Sequence, residues 1–402
     1  MATEAVWLRR LKLDEFRVYR QLELTIGPTG LRIVGPNGTG KTSVIEALLL
    51  LSTTRSRRGV LDADLINHES GIDLASRPYT RVEGEIDSGS TTVELDIFIE
   101  RTDGNSTRKL IRVGDAPRKA ADVVGLFPTV SFSPEDLDLV IGSPSVRRRF
   151  LDVLLSQVDR EYMRHLSRYG RMISQRNSLL KAIGGGGGQR NELEFWDDQI
   201  IALGAYLIAA RAVAVQSIAE HATTIFGEIA TFQDDLSVVY RASLEQPDAW
   251  WEAIARDTAD IRAVSQRVGA VFESALRDAL PEDIARGVST IGPHRDDIDL
   301  ELGGRPIQRF GSRGQQRLAI VALKLAEIEF MAGRLQVRPA LLLDDVLSEL
   351  DASHRDELLR RVSGGRCQMF VTATDLELAD HESLASLDLM VLDAPGQVAG
   401  GV

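Results

Sequence analysis

The sequence predicts an α/β protein in which a mostly helical block interrupts two mixed α/β segments. Three observations lead there. Apolar residues alternate with period two over residues 6–34 and 80–113, they recur at helical spacing over 146–285, and short apolar runs alternate with helical stretches again after 286. The 402 residues suffice for such a division, and 44% hydrophobic against 26% charged residues is the balance of a folded globule.

The elements follow in order. Val6, Leu8, Leu11 and Leu13, then Leu22, Leu24 and Ile26, then Leu31, Ile33 and Val34 read as short strands punctuated by Gly27, Pro28 and Gly30. A glycine-rich loop over 35–42 leads into Val44, Ile45, Leu48 and Leu49 at helical spacing, so it joins a strand to a helix. Residues 80–113 read as an antiparallel meander turning near Gly89 and Gly104. From Val146 the period becomes 3.6, and Leu151, Leu155, Val158, Tyr162, Leu166, Tyr169 and Ile173 form one stripe of a long helix. The glycine run 184–188 stops it, and Trp196, Ile200, Leu203, Leu207, Ala210 and Ala214 begin the second helix of an antiparallel hairpin. A third periodic stretch runs from Asp248 to near Pro281. The expected division is therefore 1–145, a helical arm over 146–285, and 286–402. In the last part the pattern predicts strands around Ser289 and Asp299, a helix over 314–331, a strand over 340–343, a helix over 353–362, a strand over 368–372 and a frayed tail at Gly400 and Gly401.

Composition excludes several classes. A single cysteine, Cys367, allows neither an intramolecular disulfide nor a cysteine-built zinc site. With 47 basic and 59 acidic residues the formal charge is −12, which excludes an overall positive coat but leaves room for one basic groove. Glu4, Arg9 and Arg10 break the pattern of a secretory signal, and the apolar run 200–210 stops at Arg211, short of the roughly 20 residues of a membrane span. The expectation is a cytoplasmic protein without a membrane partner.

Gly35-Pro36-Asn37-Gly38-Thr39-Gly40-Lys41-Thr42 fits the phosphate-binding pattern G-x-x-x-x-G-K-[ST] and stands between a strand and a helix, as that chemistry needs. Its amides, continued by Ser43, would curl around phosphates at a helix N-terminus. Lys41 would reach the β and γ phosphates, and Thr42 would ligate Mg²⁺. Ala340 to Leu343 is an apolar strand ending in Asp344 and Asp345. Asp344 would assist the magnesium, directly or through water, and Asp345 would orient or deprotonate the attacking water. Ser312, Gly314 and Gln315 open a helix at a terminus suited to an anion.

The stretch Phe310 to Arg317 resembles the signature motif of ABC-type ATPases, with Ser312, Gly314 and Gln315 in its serine, glycine and glutamine places, and Ser348-Glu349-Leu350-Asp351 resembles their D-loop. Together with Phe16-Arg17-Val18-Tyr19, Phe132 to Leu137, Gly142 to Ser145 with Arg147 to Arg149, and Gly292 to Asp297, the set resembles the bacterial RecF family over most of the chain. That resemblance implies an ABC-type ATPase head of the P-loop NTPase class, with an antiparallel β lobe and a helical arm in place of a long coiled coil. It further implies ATP sandwiched between two heads, the phosphate loop of one chain facing a catalytic Ser312, with Gly314, of another, so that hydrolysis depends on homodimerisation. DNA, as duplex, gapped duplex or single-strand/duplex junction, RecO and RecR are the implied partners, and loading of RecA in repair, replication-fork recovery and the SOS response the implied task.

Departures from the ABC pattern bear on mechanism. Asp345 stands where transporters carry glutamate, one methylene longer, from which slow turnover is expected, the resemblance adding stimulation by DNA; Thr372-Ala373-Thr374 stands where they keep a switch histidine. Glu135 takes the place of their magnesium-linked glutamine. A transporter subunit would need closely spaced motifs, which are absent; an SMC-like DNA-structure ATPase and an ATP-binding module without turnover remain alternatives. Arg160, Arg164, Arg168 and Arg171 share one helical face, readable as a phosphate-contacting stripe or as a solvated face paired with carboxylates. His294, Asp296 and Asp297 read as a structural salt-bridge loop or a nucleotide-coupled loop.

Overall fold

The computed structural model describes residues 6–56, 60–72, 77–102, 106–230, 234–257, 260–363 and 367–401. The turn expected near Gly104 lies outside them. The chain divides into two compact units, residues 1–136 with 331–402, and residues 137–330.

In the first unit the alternating segments form a six-stranded antiparallel sheet in the order Tyr19–Thr25, Trp7–Phe16, Tyr79–Asp87, Thr92–Arg101, Thr107–Val113, Ala116–Arg118. A bulge between Leu8 and Arg10 keeps Leu8 on the same buried face as Leu11 and Leu13. The opposite face pairs charges across strands, Lys12 with Glu83 at 3.0 Å and Arg81 with Asp96 at 2.9 Å. A second six-stranded sheet runs Gln397–Gly401, Asp388–Ala394, Gly30–Val34, Met369–Ala373, Ala340–Leu343, Thr129–Phe132, parallel except at its first strand. The expected frayed tail is thus an edge strand, because Gln397 and its successors pair back on Asp388–Ala394.

Helix Lys41–Thr53 packs against both sheets and is buried along most of its length, which explains its all-round apolar character. Gln368 ties the sheets together without leaving a polar orphan. Its Oε1 accepts from Leu8 N at 2.8 Å, and its Nε2 donates to Leu8 O and Gly27 O at 2.8 and 2.9 Å.

The second unit is built on helix Leu193–Ile229, which packs against helices Arg160–Gly184 and Ile261–Arg286. Among the described residues, Arg190–Ile229 is a stretch long and apolar enough to cross a membrane, correcting the expectation from 200–210, although 78% of its apolar window is buried inside the protein. Arg211 does not end the run; it lies in the core with its charge satisfied. Its Nε donates to Tyr162 Oη (2.9 Å), Nη1 to Pro293 O (2.5 Å) and Nη2 to Asp152 Oδ1 (2.7 Å). Asp296 accepts from Tyr240 Oη and from Ser243 N at 2.7 Å.

His294 is neutral in this network. Ser289 O can only accept, so the ring proton sits on Nε2 (3.0 Å), and Nδ1 accepts from Tyr169 Oη (2.8 Å). Burial pushes the His294 pKa down to about 4. The loop carrying Gly292 to Asp297 is therefore a structural polar core.

Several helical expectations change. The single helix expected from Val146 is two, Pro144–Val158 and Arg160–Gly184, because Asp159 leaves helical geometry and its Oδ1 accepts from Glu161 N and Tyr162 N at 2.8 and 3.0 Å. The third stretch is also two, Asp248–Arg256 and Ile261–Arg286, and Pro281 lies inside the latter, which ends at left-handed Gly287 (φ 65°). No strand forms at Ser289; its side chain is buried against Arg176 Nη1 and Asn177 Oδ1, both at 2.8 Å. Residues 286–330 gather with the helices rather than with the last segment, since strand Asp297–Leu302 pairs with Leu236–Arg241 from within the helical block.

Candidate nucleotide site

The site is assembled at the C-terminal ends of parallel strands in the first unit, where open α/β sheets place ligands. Strand Gly30–Val34 enters a loop that turns through Gly38 (φ 82°) and Gly40 (φ 111°) before helix Lys41–Thr53. Glycine is required at 40 on two counts, since a Cβ there would also stand 2.8 Å from Tyr19 Oη. The first helical turn carries no acidic residue of its own to offset its partial positive charge. Lys41 is buried, and its Nζ donates to Gly35 O (2.7 Å) and Pro36 O (3.1 Å).

Strand Ala340–Leu343 is buried at all four positions and carries Asp344 and Asp345 to the same edge of the sheet. Asp344 Oδ1 accepts from Thr42 Oγ1 (3.1 Å) and from Thr372 Oγ1 (3.0 Å). The Thr372 oxygen in turn accepts from Asp345 N (2.9 Å), so one buried hydroxyl fixes both acidic residues. Asp345 adopts a left-handed backbone (φ 55°), which Asp tolerates better than most residues, and its Oδ1 is buried without a hydrogen-bond partner. Burial lifts its carboxyl above the usual range; Lys41 opposes that shift and Asp344 adds to it.

A cleft of about 670 Å³ opens here, its lining including Arg17, Lys41, Thr42, Glu46, His68 and Asp345. The volume is that of a small-molecule site. Lys41, Thr42, Asp344 and Asp345 are thus brought together as the spacing predicts. Glu135 follows strand Thr129–Phe132 in the short turn Pro134–Leu137 and is not part of the cleft lining. Asp351 caps helix Ala352–Ser363, with Ser353 Oγ (2.7 Å) and His354 N (3.1 Å) donating to its Oδ1; these donors and the His354 ring hold its carboxyl well below the ordinary range.

Ser312, Gly314 and Gln315 belong to the second unit and line no part of this cleft. They form a reciprocal cap at the start of helix Arg313–Leu335: Gln315 N donates to Ser312 Oγ (3.2 Å) and Ser312 N to Gln315 Oε1 (2.8 Å). Gln316 Nε2 braces the turn through Ile307 O and Gly311 O, both at 3.2 Å, and Ser312 stays exposed.

The family model of the RecF/RecN/SMC N terminal domain matches residues 7–386. The DNA replication and repair protein RecF of Thermomicrobium roseum is 40% identical over 395 residues, covering 96% of this chain and 98% of its own length. The chain belongs to the RecF family.

A solved structure of the recombination mediator protein RecF with ATP, in the RecFOR pathway, is 27% identical, covers 100% of this chain and 99% of that one, and superposes with a TM-score of 0.82. A Smc head domain with an extended coiled coil from Pyrococcus furiosus, 14% identical and covering 99% of this chain and 96% of that one, has a TM-score of 0.54, a likeness of fold alone. The architecture is an ABC-type ATPase head with an antiparallel β lobe and a helical insertion.

Against that family background two further residues take a definite place at the site, Arg17 and Thr372. Arg17 forms a two-pronged pair with Glu46 (2.9 Å each) and donates to Asp64 O (2.9 Å), holding the cleft wall to the first turns of helix Lys41–Thr53. The only signal for it was its place in Phe16-Arg17-Val18-Tyr19. Thr372 links the Asp344 carboxylate to the Asp345 backbone amide, and its signal was a hydroxyl in an otherwise apolar strand end.

Proposed function

We propose that this RecF-family chain binds ATP in the cleft and hydrolyses it slowly, as the gate of a cytoplasmic, DNA-binding homodimer that acts with RecO and RecR to load RecA in recombinational repair and replication-fork recovery. The observation that carries the reading is the convergence of Lys41, Thr42, Asp344 and Asp345 at one strand edge. The likeness to a RecF structure with ATP over the whole chain supports it.

In this reading the amides of residues 35–43 and the helix N-terminus hold the phosphates, and Lys41 exchanges its loop carbonyls for phosphate oxygens. Thr42 and Asp344 already face one another, which fits a magnesium ion held by few protein ligands beside phosphate oxygens; the ion would neutralise phosphate charge. Asp345 Oδ1, buried and unpartnered, accepts the proton of the attacking water, and burial makes it a stronger base than an ordinary carboxylate. Asp345 reaches one methylene less far than glutamate, which accounts for slow turnover. The exposed Ser312 cap of a second copy supplies the remaining anion contacts to the nucleotide.

The test is steady-state ATP hydrolysis across protein concentrations, with and without gapped duplex, and with Lys41→Ala as blank. The rate per chain is expected to climb with concentration and with DNA. A constant rate per chain, indifferent to DNA, would overturn the dimeric clamp.

The Thr372 bridge makes a separate prediction. Thr372→Val is expected to lower kcat about ten- to a hundredfold with KM nearly unchanged, because it strands Asp345 N and loosens Asp344. Thr372→Ser, which keeps the hydroxyl, is expected to retain most activity. Equal kcat in the Val and wild-type proteins would remove Thr372 from the mechanism.

A further inference from the structure

Helix Arg160–Gly184 carries five arginines and one lysine against a single glutamate, in a chain of formal charge −12. Arg176 is buried and bonded to Asp197 and Asp283, both at 2.6 Å. The other four are placed differently. Tyr162, Tyr169, Arg176 and Leu180 mark the buried side. At roughly 100° per residue, Arg160, Arg164, Arg168 and Arg171 fall within an arc of about 80° on the opposite side. All four are exposed, and the exposed positions among and beyond them add Ser167, Ser174, Gln175, Ser178 and Lys181 but no carboxylate.

Neighbouring helix Ile261–Arg286 shows what an ordinary solvated face looks like in this protein. Its Arg262, Arg267, Arg277 and Arg286 pair with Glu161 (3.4 Å), Asp257 (3.2 Å), Glu273 (2.7 Å) and Glu282 (2.7 Å). On Arg160–Gly184, by contrast, Arg160 and Arg168 have no carboxylate partner among the described residues, and Arg171 donates only to Ser167 Oγ (3.1 Å). Like charges three and four residues apart weaken a helix. Three arginines of the row, Arg160, Arg168 and Arg171, thus break this local rule without a carboxylate among the described residues to offset it, and they call for an outside anion.

We propose that this face docks the phosphate backbone of duplex DNA; the inference rests on the DNA-binding reading above and assigns it a surface. The eleven steps from Arg160 to Arg171, at about 1.5 Å rise each, give a row roughly 16 Å long, and duplex DNA presents about one charge per 1.7 Å of axis, so the row meets several phosphates at once. The row offers guanidinium, hydroxyl and amide donors and no aromatic ring, which suits backbone contact rather than base stacking. The acidic excess of the whole chain repels DNA elsewhere and favours this face.

The experiment compares the full chain with the triple variant Arg160→Ala, Arg168→Ala, Arg171→Ala and the control triple Arg262→Ala, Arg267→Ala, Arg277→Ala. Binding of a labelled duplex is followed over a salt titration with ATP present. The first triple is expected to flatten the plot of log K against log salt by about 2–3 units, at roughly 0.9 for each phosphate that is no longer neutralised. The control is expected to leave it unchanged, and Arg→Lys at the same three positions to restore most of it. Hydrolysis of ATP without DNA, and the melting temperature, should be the same in all variants. An unchanged slope in the first triple, an equal loss in the control, or a loss seen only with single-stranded DNA would overturn the assignment while leaving the DNA-binding reading intact. Failure of the unmodified chain to bind duplex would overturn both.

Discussion

Asp345→Asn is expected to remove hydrolysis and at the same time to raise thermal stability. Loss of a positioned base costs about 10²–10⁴-fold in rate, and asparagine keeps both the shape of the side chain and tolerance of the left-handed backbone at φ 55°. The stability gain follows from the direction of the pKa shift. Burial raises the folded carboxyl above its ordinary value, so the fold favours the protonated form. The ionised form therefore carries a cost that is absent below the ordinary carboxylate pKa and complete above the folded one. At neutral pH the Asn chain escapes it, and the two melting temperatures should converge as the solution is acidified. Single-turnover hydrolysis and melting curves across pH are the measurements. Undiminished hydrolysis would end the assigned role, and equal melting at neutral pH would end the burial argument.

Arg211→Met should produce the largest loss of stability, about 3–5 kcal/mol by removal of one partner from a buried charge network. The thioether fills part of the space but leaves Tyr162 Oη and Pro293 O without their donor, Asp152 Oδ1 with only the Tyr162 hydroxyl, and Asp296 without its nearest cation, 3.6 Å away. Burial already lifts the Asp296 carboxyl, and Arg211 opposes that lift most, ahead of the hydrogen bonds from Tyr240 and Ser243. Denaturant unfolding checks the figure. Adding Asp296→Asn to Arg211→Met should recover part of the loss, because the stranded charge goes with it. A loss for Arg211→Met no larger than that of an exposed arginine would mean the carboxylates are solvated or protonated.

Arg211 also shows where sequence reading stops. A lone charge ending an apolar run reads as a terminus, because its partners Asp152, Tyr162 and Pro293 lie far away in the chain and nothing local announces them. The same holds for Thr372, whose hydroxyl works across two strands, and for Arg17, which works across a helix. By contrast the meeting of the glycine-rich loop with Asp344-Asp345 at one strand edge was legible, since a fixed local spacing and a run of four buried residues carry that placement. Asp159 hid for another reason: it breaks the helix, yet Tyr162 and Tyr169 continue the stripe in phase, so periodicity passes over the break. Pro281 misled in the opposite sense, being tolerated close to a helix end that Gly287 actually sets.

The parallel sheet that bears the cleft is stitched from both ends of the polypeptide. Among the described residues, Gly30–Val34, which leads into the glycine-rich loop, pairs only with Met369–Ala373 and Asp388–Ala394, and Thr129–Phe132 pairs only with Ala340–Leu343. During synthesis at about 5–20 residues per second, the strand leading into the loop therefore waits roughly 20–70 s for its partners to leave the ribosome. The antiparallel sheet, complete by Arg118, and the contiguous unit 137–330 need not wait. A message cut short before residue 369 would yield a chain with two folded parts, a bare strand edge open to aggregation, and no place for a nucleotide.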